Sequence, residues 1–161
     1  MSKEVKKEKN ENIGYKGQVE VGIIKNGKKF KKVTANEGTF ALFRYLCDCL
    51  TGTINPNYDI NKRPGNLKLY NAGSAILSYG IHFTDIKIVE NAAAPSCSVV
   101  YNFLIPGSIA AGKKISSVKL FDLTDTVEYA SANFNNTITV EDSDVNVYVS
   151  WTLTILNGRS N

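Results

Sequence analysis

The chain has 161 residues, of which 43% are hydrophobic and 21% charged, and its net charge is +4. This size and composition are typical of a single globular domain and exclude a largely disordered chain. No stretch approaches the roughly 20 apolar residues of a membrane-spanning helix, and the charged start lacks the apolar segment of a secretory signal. We therefore expect a protein made in a cytoplasm, with its three cysteines reduced.

The positive charge is concentrated near the N terminus. Residues 1–33 hold ten lysines against four glutamates, whereas the remainder holds nine basic against eleven acidic residues. Residues 1–16 are too polar to form a core, and we predict that they form an arm that crosses a neighbouring protein chain. Its contacts would be made by Lys3, Lys6, Lys7, Lys9 and Lys16. A solvated tail is the alternative, and the interrupting glutamates disfavour nucleic acid as the partner.

A β-hairpin is predicted after the arm. Val19, Val21 and Ile23 alternate with other residues, and Asn26-Gly27 follows them. Asn-Gly favours a type I′ turn, in which both central residues have positive φ. The lysines of the return strand are typical of protection against pairing with another sheet edge.

One helix is predicted, at residues 35–51. Thr34 and Glu37 match a capping box, and Gly52 lies where a C-terminal cap is expected. Between them runs an apolar stripe that consists of Leu42, Phe43, Leu46 and Leu50.

A loop is predicted at residues 53–66, which are rich in turn-forming residues. Loops of this length in small domains are often contact surfaces. The candidate contact residues of this loop are Asn57, Tyr58, Lys62 and Arg63.

Short strands separated by turns are predicted for the rest of the chain. They cover residues 67–70, 76–81, 83–89, 96–105, 115–121, 137–141 and 145–156, with one of the turns at residues 133–136. In the last strand every second residue from Val145 to Ile155 is apolar, which indicates an antiparallel sheet with one buried face. We predict a mainly β fold for residues 17–161, an antiparallel β-sandwich or jelly-roll-like domain with the helix docked on it.

Few residues could carry enzymatic chemistry. His82 is the only histidine, so a catalytic triad would depend on it alone. Cys47 and Cys49 point to nearly opposite sides of the predicted helix and cannot share a metal ion. With Cys97 they are expected to be small buried hydrophobic residues. We predict no catalytic residue, no bound metal and no cofactor.

Two acidic bends remain as candidate cation sites. One contains Asp122 and Asp125, and the other contains Glu141, Asp142 and Asp144. Calcium takes such oxygen ligands, but neither bend has the spacing of a recognised calcium loop. We therefore expect both to be solvated turns.

A series of short motifs runs along residues 17–156. The first half carries Asn36-Glu37-Gly38, Phe40-Ala41-Leu42, Leu50-Thr51-Gly52 and Arg63-Pro64-Gly65-Asn66-Leu67-Lys68-Leu69. The second half carries Val118-Lys119-Leu120-Phe121-Asp122, Tyr129-Ala130, Ile138-Thr139 and the segment from Val145 to Leu153, which contains Trp151. Together these motifs resemble those of small structural proteins of tailed bacteriophages.

This resemblance implies a non-enzymatic capsid- or tail-associated accessory protein, assembled in the bacterial cytoplasm and located in the virion. It would be an oligomer held by contacts with major capsid, portal or tail proteins. The alternative is a carbohydrate-binding jelly-roll module. In that case the sugar-stacking residues would come from Tyr58, Tyr70, Tyr79, Tyr101, Tyr129 and Tyr148.

Overall fold

The computed structural model describes residues 14–35, 37–38, 40–50, 59–80, 85–91 and 96–156. The strands are β1 Gly14–Lys25, β2 Lys28–Ala35, β3 Glu37–Gly38, β4 Pro64–Asn71, β5 Ser74–Gly80, β6 Ile86–Asn91, β7 Ser96–Ile105, β8 Lys114–Asp122, β9 Glu128–Thr139 and β10 Asn146–Leu156. The helices are α1 Phe40–Leu50 and α2 Gly107–Ala110, with a 3-10 turn at Ile60–Lys62. None of these helices combines the length and the apolarity needed to cross a bilayer.

The strands form two five-stranded antiparallel sheets that face each other. The first sheet has the order β2-β1-β10-β7-β6, and the second has the order β3-β9-β8-β4-β5. Side chains from both sheets meet in one apolar core. The predicted β-sandwich with a small helix is therefore confirmed.

The alternating pattern of the last strand has the expected cause. β10 lies in the middle of the first sheet, between β1 and β7, so one of its faces is covered by the second sheet. The core side chains of this region are fully or almost fully buried: Val145, Val147, Val149 and Trp151. Ile155, at the far end of the same face, is 45% exposed, so the cover does not extend to the end of the strand.

The first hairpin also forms as predicted. Asn26 and Gly27 have φ values of 50° and 72°, as a type I′ turn requires. A second turn with the same signs of φ joins β4 and β5, where Ala72 has a φ of 48° and Gly73 a φ of 84°. The first central residue of this second turn is Ala72, where the first hairpin has an asparagine, and the second central residue is a glycine in both turns.

The predicted helix start is wrong. α1 begins at Phe40, because the chain through Ala35 continues as β2 in register with β1. The hydroxyl of Thr34 lies 3.3 Å from the carbonyl oxygen of Ala35 and 3.4 Å from that of Asn133, and it caps no helix. Strand pairing between distant residues thus overrides a local capping pattern. The proposed cap at Gly52 lies outside the described residues.

Two further boundaries differ from the sequence interpretation. β1 begins at Gly14, so the last three residues of the predicted arm pair with β10. The predicted turn at residues 133–136 is wrong, because β9 runs through it as a strand with a large bulge. Ile138 pairs with Ile115 and Asn133 pairs with Ser117, which leaves four residues of β9 opposite Ser116 alone. The extra residues bend the strand away from its neighbour.

Candidate interaction surface

A lateral cleft, defined here as the space between β2 and the bulged part of β9, runs along one side of the sandwich. It consists of two hollows of about 230 and about 290 Å3. The first is lined by Val21, Gly22, Ile23, Phe30, Lys31, Thr137, Ile138 and Thr139. The second is lined by Val33, Thr34, Asn133, Phe134, Asn135 and Asn136. The two hollows follow one another along both strands.

The cleft is open because two sheet edges lie beside it. β2 is the outermost strand of the first sheet and, among the described strands, pairs only with β1. In the second sheet, β3 is only two residues long and pairs with Ala130 and Ser131 of β9. The backbone of β2 therefore presents a row of outward N–H and C=O groups along the cleft.

The outer face of β2 carries a network of charges. The Glu20 carboxylate accepts hydrogen bonds from Lys31 at 3.1 Å and from the Tyr148 hydroxyl at 3.0 Å, and it pairs with Lys29 at 3.0 Å. The Lys29 ammonium lies 3.7 Å from the centre of the Tyr148 ring. Burial raises the pKa of Glu20, but the bonds from Lys29, Lys31 and Tyr148 outweigh it, so the net shift is downward. Glu20 is therefore ionised at neutral pH and offsets one of the two lysine charges.

Two apolar side chains of β2 lie near these lysines. Phe30 is 57% exposed and Val33 is 51% exposed. Phe30 pairs with Ile23 on the face that continues into the core, whereas Val33 pairs with Glu20 on the outer face. The edge strand thus combines positive charge with uncovered apolar surface on both of its faces. The lysines alone indicate edge protection; the exposure of Phe30 and Val33 could not be seen in the sequence.

A separate hollow of about 340 Å3 lies on the outer face of the first sheet, lined by residues of β1, β2, β7 and β10 together with Asp85. Its polar groups are bonded to one another. The Asn102 amide donates to the carbonyl oxygen of Asp85 at 3.3 Å and accepts from the Ser150 hydroxyl at 2.9 Å. A ligand in this hollow would have to replace these bonds.

Three of the six tyrosines proposed for sugar stacking are unsuitable for that role. Tyr101, Tyr129 and Tyr148 are buried, with exposed fractions of 8%, 4% and 6%. Tyr70 and Tyr79 are half-buried, and Tyr58 lies outside the described residues. A stacking platform needs an exposed ring face, so at least three of the six predicted tyrosines do not provide one.

Three tyrosines gather between α1 and the sheets. The rings of Tyr45 and Tyr129 are 5.4 Å apart, and the Tyr129 hydroxyl donates to the carbonyl oxygen of Lys62 at 2.7 Å. Burial is the main cause that raises the pKa of Tyr45, and it raises the pKa of both Tyr101 and Tyr129 to about 12. These phenols therefore remain protonated at neutral pH, where they pack and donate hydrogen bonds and are poor nucleophiles.

The first acidic bend is stabilised from within. Asp122 is 4% exposed. Its Oδ1 accepts from the amides of Thr126 at 2.8 Å and Val127 at 3.1 Å. Its Oδ2 accepts from the hydroxyls of Thr124 at 2.6 Å and Thr126 at 3.1 Å. The expectation of a solvated turn is wrong for Asp122, because both oxygens serve to fold the turn.

Replacing Asp122 with asparagine is expected to cost about 1–3 kcal/mol of unfolding free energy at neutral pH, since an amide cannot accept all four bonds. Burial raises the pKa of Asp122, but the bonds from Thr124, Val127 and Thr126 outweigh it and hold the pKa below its ordinary value of 3.8. The carboxylate therefore stabilises the fold above that value, and the contribution is lost as the pH falls through the lowered pKa.

Urea unfolding of Asp122→Asn and the original protein at about pH 7 and about pH 3 measures this difference. The gap between the two proteins should narrow at the lower pH. Asp142→Asn is the control, because Asp142 is exposed and pairs only with Lys25 at 3.3 Å in the described contacts. An equal loss at both pH values would contradict the prediction.

The second acidic bend is exposed, as expected. Glu141, Asp142 and Asp144 are all solvent-accessible, and Lys25 lies 3.6 Å from Glu141 and 3.3 Å from Asp142. Within the described residues no group of three or more histidine, cysteine or acidic side chains is arranged to hold a metal ion.

The cysteine prediction fails for Cys97, which is exposed near the start of β7. Cys97 lies on the same face of β7 as the core residues, but the second sheet does not cover that end of the strand. Cys49 is half-buried on α1, next to Tyr45, with which its thiol shares a hydrogen bond. The side chain of Cys47, like the whole of His82, lies outside what the structure describes.

The predicted partner-binding residues are only partly described. Lys3, Lys6, Lys7 and Lys9 of the arm, and Asn57 and Tyr58 of the loop, lie outside the described residues. Lys16 is in β1, where its backbone pairs with Thr154. Lys62 ends the 3-10 turn, and Arg63 lies close enough to Tyr101 to influence its pKa. These residues remain predictions as contact sites.

Comparison of the chain with protein-family models, with curated proteins and with solved structures finds no match.

Proposed function

We propose that this chain is a non-enzymatic structural protein that works through contacts with other protein chains, and that it is an accessory component of a tailed-bacteriophage virion. The lateral cleft supports the first part of the proposal. The motif resemblance along residues 17–156 supports the second part, which places the chain on the capsid, the connector or the tail.

The observation that carries the proposal is the combination found on β2. An edge strand with unpaired backbone groups is a ready template for another strand. Phe30 and Val33 add apolar surface at the same place, with exposed fractions of 57% and 51%. Exposed apolar groups beside an open edge are typical of interaction sites.

The arm and the loop would extend the contact. Residues 1–13 precede β1, which begins at Gly14 in the sheet that carries the cleft edge. Lys62 and Arg63 lie between α1 and β4, at the end of the sandwich where the three tyrosines gather. In this proposal the arm crosses a neighbouring subunit, and the loop contacts the capsid or tail protein beneath.

The proposal is tested on phage particles that encode the chain. Particles are banded in caesium chloride, and the copy number of the chain relative to the major capsid protein is measured by quantitative mass spectrometry. We expect a fixed ratio for the original chain and about a tenfold lower ratio for the double variant Phe30→Ser/Val33→Ser. Ile109→Ser is the matched control, since Ile109 is 44% exposed on α2 and should leave the ratio unchanged.

Two results would contradict the proposal. Absence of the chain from banded particles would remove the virion assignment, and selective binding to a glycan array would favour the carbohydrate-binding alternative. A deletion of residues 2–13 tests the arm separately, because unchanged occupancy would show that the arm makes no essential contact.

A further inference from the structure

We propose that the edge of β2 takes up an extended segment of a partner protein as an additional strand of the first sheet, and that this segment alternates acidic and apolar residues. The inference rests on the proposed function and specifies the partner's chemistry. It is carried by the backbone, the charges and the apolar side chains of β2.

The backbone of β2 provides the template. The strand is eight residues long and pairs with β1 along its whole length, from Lys28 opposite Lys25 to Ala35 opposite Gln18. A further strand would lie about 4.8 Å beyond β2 and use the outward N–H and C=O groups. Its side chains would alternate between the outer face and the cleft, because the period of a strand is two.

The outer face of β2 selects negative charge. Lys29 and Lys31 are two residues apart and half or more exposed, with side-chain exposures of 50% and 58%. Only one carboxylate, that of Glu20, is within ion-pair distance of them among the described residues. Acidic residues at alternate positions of an added strand would lie beside these lysines, and opposite charges on neighbouring strands stabilise their pairing.

The cleft face of β2 has one apolar position, Phe30, which alternates along the strand with Lys28, Lys32 and Thr34. Phe30 projects beside Ile23, and Ile138 of β9 lies across the first hollow. The residues of an added strand that alternate with its acidic positions would enter this hollow and cover Phe30. An acidic and aliphatic alternation therefore places carboxylates beside Lys29 and Lys31 and an aliphatic side chain over Phe30.

The same charges argue against two other occupants. Pairing of β2 with β2 of a second copy would place lysines next to lysines, which is unfavourable. Residues 1–13 of this chain carry four lysines against three glutamates, so they supply no net negative charge for the edge. A partner segment of different composition is the occupant that the charges favour.

The experiment uses the full chain and fluorescein-labelled peptides as long as β2, eight residues. One peptide alternates Glu and Val, a second alternates Lys and Val, and a third has the residues of the first in two blocks. Fluorescence anisotropy should detect saturable binding of the alternating Glu/Val peptide only. Raising the salt from about 0.05 to about 0.5 M should weaken that binding, because charges at the surface are screened.

Variants locate the site. Lys29→Gln/Lys31→Gln should weaken binding about tenfold, whereas the control Lys87→Gln, on β6 at the opposite edge of the first sheet, should leave it unchanged. Circular dichroism verifies that both variants are folded. Peptides that are N-methylated at one or the other set of alternate residues test the backbone pairing. Methylation of the set that faces β2 should abolish binding, and methylation of the other set should leave it.

Other outcomes overturn the inference. These are equal binding of the block peptide, equal effects of the two methylated sets, preferential binding of a peptide of residues 1–13, or self-association through β2 detected by sedimentation. Incorporation into particles without binding of the Glu/Val peptide would overturn this inference and leave the proposed function standing. Binding of the peptide by a chain that is absent from particles would instead overturn the virion assignment.

Discussion

Truncation of Trp151 to alanine is expected to lower the free energy of unfolding by about 3–5 kcal/mol, the usual cost of removing a large buried aromatic side chain. Trp151 is completely buried in the middle of β10, opposite Val19 of β1 and Tyr101 of β7. Its removal leaves a cavity between the two sheets, which the sheets cannot fill because strand pairing holds the backbone in place. A domain of this size is stable by only about 5–15 kcal/mol, so the loss is a large part of the total.

Urea unfolding followed by circular dichroism measures this effect, because the variant lacks the chain's only tryptophan. The control is Ile155→Ala on the same face of the same strand, where the side chain is 45% exposed. It should cost less than about 1 kcal/mol, since little apolar area is released. Equal costs for the two variants would show that the core is not centred on Trp151.

The contrast between Trp151 and Ile155 also shows which features of the strand can be predicted from the sequence. Alternation in residues 145–156 predicts which face of β10 is buried, because the period of a strand is a local property. The extent of the opposite sheet is not local, so the exposed end at Ile155 and Cys97 could not be predicted. The same reasoning explains the hairpin at Asn26-Gly27, whose conformation depends on two adjacent residues.

The helix start shows the opposite case. Thr34 and Glu37 match a capping box, yet both belong to strands, because Thr34 pairs with Val19 and Glu37 pairs with Ser131. Those partners are far away in the sequence, and a single sequence does not reveal them. The bulge in β9 misleads in a similar way, since asparagine-rich segments favour turns unless a neighbouring strand holds them extended.

The lateral cleft could not be predicted from the sequence either, because it is formed by residues that are distant in the chain. Its two walls, around Phe30 and Ile138, are more than a hundred residues apart in the chain. The lysines of β2 are visible in the sequence, but their relation to an open groove depends on the sheet order. Glu20 likewise becomes part of the surface only through its pairing with β2 and β10.

Replacing Gly22 with alanine is expected to detach β2 from the sheet. Gly22 pairs with Lys31 on one side and with Tyr148 on the other. A Cβ atom at Gly22 would collide with the carbonyl oxygen of Phe30, and it would lie 2.7 Å from Cε1 of Tyr148 and 2.9 Å from Cα of Lys31. Two of these three obstacles are backbone atoms of β2, so rotation of a side chain cannot relieve the overlap. We expect a loss of about 3 kcal/mol, at the upper end of typical overpacking costs.

Hydrogen exchange of the β2 amides and urea unfolding test this expectation together. In Gly22→Ala the β2 amides should lose protection, and the alternating Glu/Val peptide should no longer bind. The double variant Gly22→Ala/Tyr148→Ala should recover little stability, because the backbone overlaps persist. Gly80→Ala is the matched control, since its Cβ would meet only the Asn66 side-chain oxygen, at 3.2 Å. If Gly22→Ala kept the original stability and β2 protection, the close approach of β1, β2 and Tyr148 would not exist in solution, and the cleft edge would lack its support.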